Sequence, residues 1–139
     1  MPPGPGVVLQ DLPALDAPDT WDGSDPDRAI TGGAFPVVET DEGATTLVGV
    51  SYTPRSTITG ADTDSRTLQL LTADGSVDDL SGAVVVAELA LTAGVNLPGG
   101  SPHAIPIVDS TLKHFVYWKS ISVGTGIPDP GGSLSIAWS

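Results

Sequence analysis

The sequence predicts an all-β fold, an antiparallel β-sandwich or jelly roll of about seven or eight short strands behind an extended Pro-rich arm. Three observations lead there. Apolar and polar residues alternate with a period of two through a succession of short runs, the pattern of strands with unlike faces. Gly and Pro, at 17 and 13 of the 139 residues, punctuate these runs and would interrupt helices. Hydrophobic residues make up 40% of the chain but aromatic ones only 5%, so the core must be aliphatic, as in thin sandwiches. The length suits one domain, divided into an arm over residues 1–33 and a sandwich over 34–139.

The arm is set apart by Pro2, Pro3, Pro5, Pro13, Pro18 and Pro26 and by six Asp against one Arg. Val7, Val8 and Leu9, then Leu12 and Leu15, are short apolar anchors in otherwise loop-forming sequence. Trp21 is costly to leave in water and suits an interface. These six residues are the expected docking contacts of an arm that becomes ordered on a partner subunit.

Strands are expected at Phe35–Glu39 and Thr45–Tyr52, joined by an acidic turn, and at Thr67–Thr72, closed by the hairpin signal Ala-Asp-Gly. Ala83–Thr92 is the longest apolar run, and its three Val favour a central strand over a helix. Ala104–Val108 reads as a short strand that Pro106 confines to an edge. Phe115–Val123 alternates Val116, Trp118 and Ser120 against Phe115, Tyr117 and Lys119, and Leu134, Ile136 and Trp138 share one face of the last strand. Tyr117, Trp118, Ile136 and Trp138 are thus assigned to a sandwich or oligomer interface. Between these strands lies Gly124-Thr-Gly-Ile-Pro-Asp-Pro-Gly-Gly132, a long turn of residues that supply unusual or fixed φ.

Composition narrows the function classes. A net charge of −12 repels phosphate backbones and anionic lipid alike, so neither nucleic acid nor membrane is an expected partner. There is no Cys for a disulfide or thiolate metal site, which leaves burial and association to stabilise the domain. The start lacks a secretory signal's basic and apolar regions, and no apolar run reaches the roughly 20 residues of a membrane span, so a soluble cytosolic product is expected.

Catalytic chemistry finds little support. His103 and His114 lack nearby partners for a metal site. Asp22, Asp25 and Asp27 miss the ligand spacing of a calcium loop. Asp62 with Asp64, and Asp78 with Asp79, read as solvated turn acids rather than a glycosidase pair. The Gly124–Gly126 turn runs into prolines instead of the helix N-terminus an anion cradle needs, and no Gly-x-Ser-x-Gly elbow occurs. No enzyme activity and no cofactor are expected. Tyr117 and Trp118 are adjacent on a strand and point opposite ways, so a sugar-stacking platform would need Trp138 or Trp21 as a second ring.

Four segments carry a family resemblance: Val-Ser-Tyr-Thr-Pro-Arg-Ser-Thr-Ile-Thr-Gly-Ala at 50–61, Ser-Arg-Thr-Leu-Gln-Leu-Leu at 65–71, Val-Val-Val-Ala-Glu-Leu-Ala-Leu-Thr-Ala-Gly-Val-Asn at 84–96 and Val-Gly-Thr-Gly-Ile-Pro-Asp-Pro-Gly-Gly-Ser-Leu-Ser-Ile at 123–136. The chain resembles small virion structural proteins of tailed bacteriophages of actinobacterial hosts, of the capsid decoration or head-fibre type, over residues 45–139. The first 33 residues depart from that pattern.

The resemblance implies a β-sandwich on the capsid exterior, commonly clustered as homo-trimers, gripping the major capsid protein with an arm. The expected function is therefore non-enzymatic capsid decoration that stabilises the head. The alternative is a tail or head-fibre adhesion module that binds host carbohydrate. Arg28, Arg55, Arg66, Lys113 and Lys119 are the chain's five cations, each a candidate to pair with an acidic partner surface or inside the sandwich.

Overall fold

The strongest alternation in the sequence, at Phe115–Val123, becomes a strand whose two faces differ as expected: Val116, Trp118 and Ser120 are buried along one side. The structure, a computed structural model, describes residues 6–12, 14, 35–39, 45–73, 83–113, 115–124 and 126–139. In chain order its strands are β1 (Gly6–Leu12), β2 (Phe35–Glu39), β3 (Thr45–Pro54), β4 (Ile58–Thr59), β5 (Ser65–Ala73), β6 (Val84–Ala90), β7 (Asn96–Leu97), β8 (His103–Ala104), β9 (Thr111–Leu112), β10 (Phe115–Val123) and β11 (Gly132–Trp138). All pairings are antiparallel, and no helix occurs among the described residues. The molecule is an all-β sandwich.

One sheet has the order β1-β11-β3-β8, with β9 also on β3; the other has β2-β10-β5-β6, and β4 pairs with β7 in a small ribbon. Along the chain nearly every connection between these eight sheet strands crosses from one sheet to the other, the β5–β6 pair being the exception. Leu47, Val50, Tyr52, Leu134 and Ile136 from the first sheet meet Leu68, Leu70, Val86, Val116 and Trp118 from the second in one buried cluster. Tyr52 and Trp118 face each other with ring centroids 5.7 Å apart and planes tilted by 44°. The Trp118 indole N–H finds no acceptor among the described residues. Leaving it unpaired costs about 1–3 kcal/mol, whereas burying an indole contributes about 4–6 kcal/mol, so packing decides the placement.

The C-terminal strand lies between two partners. Gly6 to Leu12 pair with Trp138 to Gly132 on one side, and β3 runs along the other. Ser139 and Thr46 exchange backbone hydrogen bonds at 2.8 and 3.0 Å, which ties down the chain end.

Three expectations need correction. Residues 6–12 are not part of a detached arm: they form the edge strand β1, because the inward face of Val8 and Leu12 completes the core and the backbone completes the β11 ladder. The apolar run at 84–90 is an edge strand rather than a central one. Its outer edge is covered by the next segment, where the Val108 N–H donates to the Val86 carbonyl at 2.8 Å and the Glu88 N–H to the Pro106 carbonyl at 3.0 Å. Pro106 can serve there because only its carbonyl is needed.

Residues 104–108 are likewise not one strand. The Ile105 N–H donates to Val50 in the first sheet, and two residues later Ile107 bridges Ala87 in the second, so this segment links the sheets across their open side. The expected strands at Phe35–Glu39 and Thr45–Tyr52 both form, and they lie in different sheets, both flanks of β3 being occupied by β11 and β8.

Candidate functional site

The loop between β10 and β11 is held from inside. Asp129, a turn former by sequence, is almost wholly buried. Its Oδ1 accepts the Tyr52 hydroxyl at 2.6 Å and the Gly131 N–H at 2.9 Å, and its Oδ2 accepts the Ser120 hydroxyl at 2.7 Å. The Gly131 bond is an Asx turn, and Gly131 itself has φ 73°, a conformation glycine adopts without strain.

Arg66, fully buried on β5, continues the network. Its Nη1 donates to the Ser120 carbonyl at 3.0 Å and to the Ser120 hydroxyl at 3.2 Å, and its Nε donates to the Ile127 carbonyl at 2.8 Å. Burial, and then the adjoining Asp129 carboxylate that accepts its hydrogen bond, push the Tyr52 hydroxyl far above the ordinary phenol value. Tyr52 is thereby held as a donor.

This constellation joins both sheets and the loop, but it has the character of a structural clamp rather than a reaction centre. Tyr52, Ser120 and Asp129 are spent on one another, and all lie out of solvent. Among the described residues Ser56, Thr57, Ile58, Thr59, Ile127, Pro128 and Pro130 line a cleft of about 370 Å³, a lining without a titratable side chain. Among the described residues no three of His, Cys, Asp and Glu converge as metal ligands would.

The residues singled out by sequence separate into distinct places. Leu12 is 0% exposed and Val8 packs against the core, so neither is available for docking, whereas Val7 and Leu9 stand 66% and 70% exposed on the outer face of β1. Leu15 and Trp21 lie outside the described residues, as do Arg28, His114, Asp78 and Asp79 and the acids Asp22, Asp25 and Asp27. Trp118 and Ile136 are buried between the sheets, and Trp138 packs partly buried against the same core. Tyr117 is buried on the opposite side of β10, where it stacks on Phe115 with centroids 6.3 Å apart and an interplanar angle of 22° beside Ala73. Tyr117 and Trp118 therefore present no ring surface to a sugar.

Of the cations, Arg66 serves the interior. Arg55 forms an ion pair with Asp11 of β1 at 2.9 Å and donates to the Pro130 carbonyl at 3.2 Å. Sequence reasoning did not find Asp129, because a solvated and a buried Asp in a Pro-Gly loop look alike locally. The signal open to it was the lone Arg in the strand Ser65–Leu71, an inward position that demands acceptors.

The outer face of the first sheet has its own chemistry. Val7, Leu9 and Asp11 on β1 lie beside Ala137, Ser135 and Ser133 on β11, and these beside Gly49, Ser51 and Thr53 on β3. Val48 is exposed next to them at a register shift in the β3–β11 ladder. Asp11 is the one charged residue among these positions and is paired with Arg55. In a chain of net charge −12 this face is lined mostly by small residues and is close to neutral.

No family model matches the chain, and no curated protein matches it. Among solved structures it is similar to a chain from the infectious bursal disease virus Gx strain, at 14% identity and a TM-score of 0.34, over 96% of this chain and 32% of that one. This chain thus spans about a third of that chain's length.

Proposed function

We propose that the chain is a non-enzymatic structural protein of a bacteriophage virion, a capsid decoration protein bound to the outer surface of the major capsid protein lattice. The observation that carries this reading is the strand order. We read β1-β11-β3-β8 against β2-β10-β5-β6, with the chain crossing between sheets as it does, as a jelly-roll order, an architecture shared by viral capsid domains, lectins and cupins. This is an argument by fold analogy. Two observations weigh for the capsid branch: Tyr52, Asp129, Ser120 and Arg66 are taken up with one another in the interior clamp, and the described aromatic rings a lectin would need are buried in the cores or packed partly buried against them.

A decoration protein needs contact area rather than a reaction. It stabilises the shell by binding the mature lattice better than its precursor, and many copies add small contacts together. With β1 built into the sandwich, docking falls to the sequence beyond it, where Leu15 and Trp21 are the apolar anchors. The test is co-sedimentation with empty mature capsids. The full chain is expected to pellet with them at a fixed ratio, and the double variant Leu15→Asp/Trp21→Ala to stay in the supernatant. Equal binding by the variant removes the docking assignment, and no binding by the full chain removes the decoration reading.

A further inference from the structure

The first sheet ends at β1, which among the described residues has a neighbour on one side only, β11. An edge strand exposes a row of backbone donors and acceptors, and proteins ordinarily blunt it with bulges, prolines or charges. β1 has few such devices. It pairs with β11 over seven residues with no register shift, has no Pro within it, and carries one charge, Asp11 near its end. Pro5 and Pro13 bracket it, which limits any added strand to this stretch. Its outward side chains Val7 and Leu9 are largely exposed and extend the near-neutral face of the sheet.

We infer that β1 is a self-association edge, on which the β1 strand of a second copy adds antiparallel across a two-fold axis centred on Val8, so that the β1-containing sheets of the two copies become one continuous sheet. Charge argues for a second copy. A basic partner would be drawn to the acidic surface, whereas a partner that itself carries −12 can approach closely only where the surface is nearly neutral, and this face is such a place.

The register follows from the side chains. Centring on Val8 sets Val7 opposite Leu9 of the second copy and Leu9 opposite its Val7, an apolar ladder of directly facing pairs. It also separates the two Asp11 by six strand positions, roughly 20 Å at about 3.4 Å per residue, well beyond the screening length of about 8 Å at physiological salt. Centring on Leu9 would instead set each Asp11 against a Val7. A two-fold pairing of identical strands closes on itself and leaves no free β1 edge for fibre growth.

Sedimentation equilibrium of the full chain across a concentration series tests the inference. A reversible rise from 14.1 kDa to double that mass is expected. Leu9→Lys, at an exposed position, should leave the thermal melt of the dilute protein unchanged and hold the mass at one chain. Val108→Lys, exposed at 64% on the far sheet's edge loop, should still dimerise. Because the chain has no Cys, a mixture of Val7→Cys and Leu9→Cys variants reports the register, and it should cross-link faster than either variant alone. A chain that stays monomeric throughout, a trimer in place of a dimer, a dimer indifferent to Leu9→Lys, or faster cross-linking of either single variant would each overturn the inference. None of these outcomes bears on docking through Leu15 and Trp21.

Discussion

Tyr52→Phe isolates the interior clamp from the packing around it. The ring stays, so its contact with Trp118 at 5.7 Å is kept and no cavity opens. What is lost is the hydroxyl donated at 2.6 Å to the buried Asp129 carboxylate, which keeps only the Ser120 hydroxyl and the Gly131 N–H of its three bonds described above. A hydrogen bond to a buried charged group contributes about 1.5–3 kcal/mol. For a domain of this length that corresponds to a fall in Tm on the order of 5–15 °C.

The same residue sets a pH dependence with a definite sign. Burial and Asp129 raise the folded-state pKa of Tyr52 above its unfolded value of about 10. Its contribution is therefore fully present below pH 10 and is lost as the pH rises above it, by up to about 1.4 kcal/mol per pH unit. Tyr52→Phe lacks this group, so the stability gap between the two proteins should narrow by about 1.4 kcal/mol by pH 11. Urea unfolding of both proteins at pH 7 and across pH 9–11 measures it. A loss below about 0.5 kcal/mol at pH 7, the range of an ordinary surface substitution, or a gap that widens above pH 10, would refute the clamp.

Two further substitutions probe the frame. Leu12→Ala, at a fully buried position of β1, should cost about 2–5 kcal/mol in urea unfolding, as a core residue does, and a cost near zero would return residues 6–12 to a detached arm. Gly132→Ala places a Cβ 2.1 Å from the Thr53 carbonyl oxygen, inside backbone that cannot give way without breaking the β11–β3 ladder. It should abolish the cooperative near-ultraviolet circular dichroism transition, and a protein that melts like the parent would show the approach to be looser than described.

The alternation of Phe115–Val123 and of Leu134, Ile136 and Trp138 was legible in the chain because a strand's period of two is local: each residue's face follows from its neighbours. The same logic gave the all-β class and the Gly-Pro loop before β11. Pairing is not local. Gly6 meets Trp138 across nearly the whole chain, and nothing within residues 6–12 says that β11 will have a free side, so a strand there reads as an arm.

The run at 84–90 looked central because it is apolar. Its exposure was decided by residues 105–109, which return from the other sheet to cover its edge. Asp129 was decided at still longer range, by Tyr52 at a separation of 77 residues, and by Ser120 nine residues away on a strand that faces inward. Sequence by itself determined the strongly alternating strands, such as Phe115–Val123 and Gly132–Trp138, and which of their faces would be apolar, since these follow from local pattern. Tertiary structure alone decided which edge has no neighbouring strand among the described residues and which carboxylate was taken out of water, since both depend on partners brought together only by the closed sandwich.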